Sequence, residues 1–168
     1  MECSTEVSAL AEISLRPYEP DRDFDAMFAI TREVVGMAPY EEARRELQAY
    51  PSKSTTATVA VASDGQVVGF STASHPYWNA VAILDYLAVA PSCRNQGIGE
   101  SLVRASEQSL QAMGLRRLCV QTIAWNVDAL RFYERLGFRM LARLPGYFDD
   151  EHDLIWLDRA LEGEPVAQ

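Results

Sequence analysis

The chain has 168 residues, an ordinary length for one domain. Apolar residues make up 48% of it and charged residues 23%, which excludes a disordered chain, a collagen-like chain and a disulfide scaffold. Fifteen Lys and Arg against 24 Asp and Glu give a net charge of −9, which argues against nucleic acid as a partner, because phosphates need a basic face.

The elements follow in chain order. Ile13-Ser14-Leu15-Arg16 alternates as a short strand does, and Pro17 stops it. Asp21 or Asp23 can cap a helix running to Val35. Gly36 and Pro39 break it, and a second helix is expected over 40–50, ended by Pro51. Two β-rich runs, 56–63 and 66–74, flank Asp64-Gly65, a dipeptide typical of two-residue hairpins. Val81 to Val89 is almost wholly apolar, as in a strand covered on both faces. A helix is expected from Gly97 to Met113, stopped by Gly114. Then come a strand over 118–123, a helix over 127–136 capped by Asn126, a strand over 138–144, a turn at Pro145-Gly146 and a last strand over 152–157. The pattern predicts one α/β domain over 12–160, with loose tails at 1–11 and 163–168.

Cys3, Cys93 and Cys119 match no metal-ligand spacing and cannot all pair. They read as reduced thiols, which places the chain in the cytoplasm. The N-terminus lacks the basic start and apolar run of a signal peptide. The longest stretch without formal charge, Gly65 to Leu84, carries too many polar residues to span a membrane.

The segment after the apolar strand is the informative one. There Arg94-Asn95-Gln96-Gly97-Ile98-Gly99-Glu100 opens a helix. Backbone N–H groups at a helix start lack helical partners, and with the helix dipole they attract anions. Gly97 and Gly99 let a backbone approach a ligand, and Arg94 adds a charge suited to phosphate. The two common nucleotide fingerprints fail. No Lys follows the glycines, since Lys53 is the sole lysine, and Leu102 stands where a dinucleotide motif needs its third glycine.

These residues resemble the R/Q-x-x-G-x-G/A motif of the GNAT superfamily of N-acetyltransferases. Asn126, with Tyr133 seven residues on in Asn-Val-Asp-Ala-Leu-Arg-Phe-Tyr, resembles the family's second signature. The resemblance covers residues 66–157 and implies the GNAT fold. That fold is a mixed, mostly antiparallel central sheet of about seven strands flanked by about four helices. Its fourth and fifth strands, here 81–89 and 118–123, splay apart.

The implied cosubstrate is acetyl-coenzyme A. The loop from Arg94 to Glu100 would hold its pyrophosphate, the backbone of Leu87, Ala88 and Val89 its pantetheine arm, and Asn126 and Tyr133 complete the site. A main-chain N–H on that strand can polarise the thioester carbonyl. Tyr133 matches the tyrosine that protonates the leaving thiolate. N-terminal acetyltransferases often carry a Glu or His twelve residues before that tyrosine. Here the place holds Gln121, which cannot act as a base, so Asp85 takes that role, as the single acid in its strand. His75, a second candidate base, and Trp78 lie in one loop and are assigned with Gln121 and Tyr147 to the acceptor. Tyr147-Phe148 resembles a peptide-contacting hairpin. The acceptor is a small-molecule amine or a protein N-terminus, and family members are often homodimers.

Blander roles compete at each position. Asn126 is a good helix cap in its own right. Tyr133 lies on an apolar helix face with Ala129, Phe132 and Leu136. Asp85 can serve a bulge. A non-catalytic acyl-coenzyme A-binding regulatory module is the alternative to an enzyme.

Overall fold

A computed structural model describes residues 12–35, 44–45, 48–49, 55–75, 79–149 and 151–161. Seven strands form one sheet: β1 (Ser14–Pro17), β2 (Thr55–Val61), β3 (Val67–Ser74), β4 (Val81–Val89), β5 (Arg117–Ile123), β6 (Arg139–Asp149) and β7 (His152–Ala160). Their order across the sheet is β1-β2-β3-β4-β5-β7-β6. Every neighbouring pair is antiparallel except β4 and β5. Three helices are described: α1 (Pro20–Val35), α2 (Ile98–Ala112) and α3 (Val127–Arg135). Of the helix expected over 40–50 only 44–45 and 48–49 are described, and there Ala49 N–H donates to Arg45 O at 3.1 Å; both predicted tails lie outside the described residues.

Alternation in the strands sorts the core into two faces. On one face, Val103 and Leu110 of α2, Tyr133 of α3 and its C-cap residue Leu136 pack on Ala82, Leu84, Leu118, Val120, Ile155 and Leu157. On the other, Met27 and Ile30 of α1 pack on Val59, Phe70 and Ala88. Each fully buried Leu, Phe or Met contributes about 1.5–3 kcal/mol over its exposed state.

Local chemistry moves several predicted boundaries. The first helix starts at Pro20, because proline lacks the N–H that a first turn cannot pair anyway. Asp23 is not the cap. Its carboxylate reaches back to the Glu19 N–H at 2.9 Å and pairs with Arg16 at 2.6 and 2.7 Å. Burial would raise the Asp23 pKa, but these bonds outweigh it and hold it below the usual carboxylate range. The β2–β3 loop is not a two-residue turn. Ala62 N–H donates to Gln66 O and Gly65 N–H to Ala62 O, which makes a three-residue loop with Gly65 at φ 86°. Pro145-Gly146 does not end its strand either. β6 runs through to Asp149, with a pairing irregularity between Leu144 and Asp149. A proline is tolerated there because β6 is an edge strand.

Two irregularities shape the middle of the sheet. The parallel rungs between β4 and β5 run from Val81–Arg117 to Leu84–Val120 and stop. Asp85 to Val89 and Gln121 to Ile123 continue without pairing to each other, so the strands splay. On the other side of β4, Ala73 pairs with Leu84 and Thr72 with Tyr86, which leaves Asp85 as an extra residue in a β-bulge. The bulge reverses the alternation. Ala82 and Leu84 face the α2–α3 core, whereas Tyr86 and Ala88 face α1.

Candidate active site

The gap between β4 and β5 exposes backbone inside the sheet. Ala90 N–H donates to Val68 O at 2.8 Å. Antiparallel alternation then turns the N–H and C=O groups of Leu87 and Val89 away from β3 and into the gap. These groups can pair with an extended ligand arm as an added strand would. Ala88, by contrast, turns its backbone to β3 and its side chain to the α1 core, so it forms the wall and offers no donor to the gap.

The loop at the open end of the gap has a backbone shape that suits an anion. Asn95 has φ 61° and Gly97 φ 78°, which curl the backbone into a concave turn ahead of α2. Gly97 is the N-cap residue, and a side chain there would meet open space, so its conformation and not its size demands glycine. Gly99 sits under the Phe132 ring of α3, and a Cβ there would lie 3.4 Å from that ring. Ile98 points into a core cluster with Ala60, Val68 and Leu102, so its backbone alone can serve a ligand. Arg94 is exposed, and its Nε donates to Val89 O at 3.2 Å. Gln96 is exposed beside it. Glu100, an acid in the first turn of α2, is paired with Arg104 at 2.8 Å and so partly neutralised near the anion-binding turn.

Across the gap, α3 contributes two residues. Asn126 caps the helix, its Oδ1 accepting from Ala129 N–H at 3.2 Å, so a ligand contact there falls to the amide NH2. Tyr133 is 7% exposed and packs edge-on against Phe132 at 5.1 Å and Phe138 at 5.3 Å. Burial drives its hydroxyl pKa well above that of an ordinary tyrosine, so it stays a neutral O–H donor.

The neck of the gap lies at the last parallel rung. Asp85 and Gln121 are the next residues on each strand, and both are exposed. Leu118 and Val120 point into the α2–α3 core, so Gln121 faces the opposite, α1 side. Ser74 Oγ donates to Asp85 Oδ1 at 3.0 Å. His75 follows Ser74 directly and is half-buried at the same end of β3. Trp78 lies outside the described residues. Tyr147 is 60% exposed on β6. The structure thus sets Asp85 and Gln121 side by side past the last rung, His75 further back beyond the Ser74–Ile83 pair, and Tyr147 on the β6–β7 hairpin.

Sequence reading missed a second cluster. Trp125, 64% exposed, meets the His152 ring edge-on at 6.3 Å, and His152 Nδ1 lies 2.5 and 2.6 Å from the two Asp149 oxygens. His152 shares the alternation of Leu154 and Trp156, so it lies on the same sheet face as Gln121. The position of Trp125 immediately before Asn126 was the one signal for it.

The sequence model of the Acetyltransferase (GNAT) family matches residues 10–138. That is most of the chain, and the protein belongs to this family. A mycothiol acetyltransferase of Pseudarthrobacter chlorophenolicus is 32% identical over 142 residues, covering 78% of this chain and 44% of that protein. A streptothricin acetyltransferase of Streptomyces lavendulae is 34% identical over 80 residues, 48% of this chain and 42% of that protein. The chain therefore spans less than half the length of these two relatives. Among solved structures, a GCN5-related N-acetyltransferase from Kribbella flavida superposes with a TM-score of 0.76 at 26% identity, over 89% of this chain and 98% of that one. An aminoglycoside 6'-N-acetyltransferase complexed with coenzyme A shares the fold, with a TM-score of 0.79 at 19% identity over 91% and 99% of the two chains. Among the described residues no helix is long and apolar enough to cross a membrane.

Proposed function

We propose that the protein is an acetyl-coenzyme A-dependent N-acetyltransferase that acts on the primary amine of a small molecule or of a protein N-terminus. The observation that carries this reading is the break in pairing after Leu84–Val120, with an anion-binding turn at its open end. A thioester arm entering from that turn would run along Leu87 and Val89 towards Asp85. The free thiols Cys93 and Cys119 suit a reducing compartment such as the cytoplasm.

The residues fit the chemistry. Acetyl-coenzyme A supplies an activated acyl group on a thiol leaving group. Arg94 and the N–H groups of Asn95 to Gly99 hold its phosphates, and Leu87 and Val89 orient the arm. An alkyl amine is mostly protonated at neutral pH and cannot attack in that form. Asp85 takes that proton. Gln121 cannot take one, but its amide oxygen can accept a second N–H and aim the amine. Tyr133 donates its O–H to the departing sulfur. Its raised pKa makes full proton transfer uphill in an empty site; the hydrogen bond to a developing thiolate is the contribution expected of it.

Thermal unfolding with acetyl-coenzyme A, and with ATP as control, tests the cosubstrate. A ligand at a hundredfold excess over its Kd stabilises by about 2.7 kcal/mol. That raises the midpoint by about 5 °C for a domain of this size. A shift with acetyl-coenzyme A alone supports the reading. A shift with ATP alone, or none, overturns it. Thiol release with spermidine, tyramine and a tetrapeptide bearing a free N-terminus then tests the acceptor; silence from all three sinks transfer to an amine.

A further inference from the structure

The proposed acetyl transfer uses neither Trp125 nor His152, yet the two stand together at the end of β5. Trp125 lies two residues past that strand, just before Asn126, and is 64% exposed. His152 opens β7, and its Nδ1 lies 2.5 and 2.6 Å from the two Asp149 oxygens. The Glu151 N–H, 2.9 Å from Asp149 Oδ1, and this imidazole hold the carboxylate below its ordinary pKa, so it stays an acceptor. Nδ1 must then carry the hydrogen, and in the neutral imidazole Nε2 is left as an acceptor.

The indole meets that imidazole edge-on, with ring centres 6.3 Å apart. An indole face attracts a cation within about 6 Å of its centre. Two touching side chains therefore favour the same ligand group, a positive charge that carries N–H. The net charge of −9 does not oppose its approach. His152 lies on the same sheet face as Gln121, and Trp125 is four residues beyond Gln121, about 10 Å along the strand. We propose that Trp125 and the Asp149–His152 pair form an acceptor subsite for a second cationic nitrogen, about 10 Å from the one acetylated. The acceptor class is then a diamine or longer polyamine, extended along β5 from the neck to the end of the strand. The inference rests on the reading of the protein as an N-acetyltransferase with its reacting amine at the neck.

Octamethylenediamine and n-octylamine, which share one carbon chain and differ by one charge, test it on the full chain. Tyramine and the tetrapeptide are run beside them, and thiol release is followed at saturating acetyl-coenzyme A. The unmutated protein is expected to favour the diamine about ten-fold in kcat/KM, well above the factor that a second reactive end supplies. Trp125→Ala and His152→Ala should each lower that ratio about five-fold, mostly through the diamine KM. Trp125→Phe keeps a weaker aromatic face and should lower it less. Thermal unfolding checks that each variant is folded. A ratio of about two or less in the unmutated protein overturns the proposal. So does a ratio that neither Trp125→Ala nor His152→Ala lowers. Turnover of tyramine or the tetrapeptide alone overturns the subsite and leaves the transferase reading standing. Silence from all four acceptors and from spermidine overturns that reading first, and this inference with it.

Discussion

Arg94 ties its own loop to the strand that feeds it: its Nε donates to the Val89 carbonyl at 3.2 Å. The bond fixes the guanidinium beside the anion-binding turn, at the point where the exposed backbone of β4 ends. On the proposed function, Arg94→Ala would remove a phosphate contact, and it breaks the bond that ties the loop to β4. Acetyl-coenzyme A affinity should fall about ten-fold, with kcat for saturating cosubstrate nearly unchanged. Arg94→Lys should recover part of the loss, because it keeps charge without the planar fork. Calorimetry on the three proteins checks this.

Gly97 holds φ at 78° at the helix start. Gly97→Ala meets no neighbouring atom, so its whole cost is the backbone. That cost is about 1–2 kcal/mol of stability for an L-residue in the left-handed region. Urea unfolding should show a lower midpoint with an unchanged slope.

Tyr133→Phe removes one oxygen and leaves the ring packed between Phe132 and Phe138. Thermal stability should hardly move, while kcat drops by about 10²-fold and cosubstrate affinity is kept. Tyr133→Ala should instead cost about 3–5 kcal/mol of stability, since it empties that space.

Glu107 of α2 is a buried acid, its side chain 9% exposed, with Arg159 Nη1 at 3.1 Å. Burial raises its pKa, and Arg159 and Arg104 pull it back only in part. The folded state thus holds this proton to higher pH than the unfolded chain does. Stability tied to it is present below the ordinary glutamate pKa and is lost as pH rises through the raised one. Glu107→Gln removes that loss. Urea midpoints for both proteins between pH 4 and pH 8 should converge at the acid end and favour the variant at neutral pH, relative to their starting difference.

Much of this was legible in the residues. Strand and helix order follows from periodicity, and the turn from Arg94 to Gly99 could be read as a candidate anion site because its glycines and its arginine are neighbours in sequence. What escaped was set by pairing between distant segments. No feature of Asp85 itself announces a bulge, which exists only because β3 pairs Thr72 and Ala73 with non-adjacent residues. Ser74 became visible through the same pairing. Pro145-Gly146 read as a strand end, since a proline's tolerance depends on whether its strand lies at an edge, and that is a property of the whole sheet. Trp125 and the Asp149–His152 pair meet only when β5 and β7 are side by side.

The sheet's two outer strands, β1 and β6, each carry a proline, Pro17 and Pro145. Tyr18 N–H donates inward to Ala57 O, so alternation puts the missing donor of Pro17 on the outward side. Both margins therefore resist extension by a strand from another chain. The capacity for strand addition is kept inside the molecule, along Leu87 and Val89, where a narrow slot rather than an open rim decides what may pair. Were an extended ligand arm to bind, it would add its strand at the centre of the sheet and not at either margin.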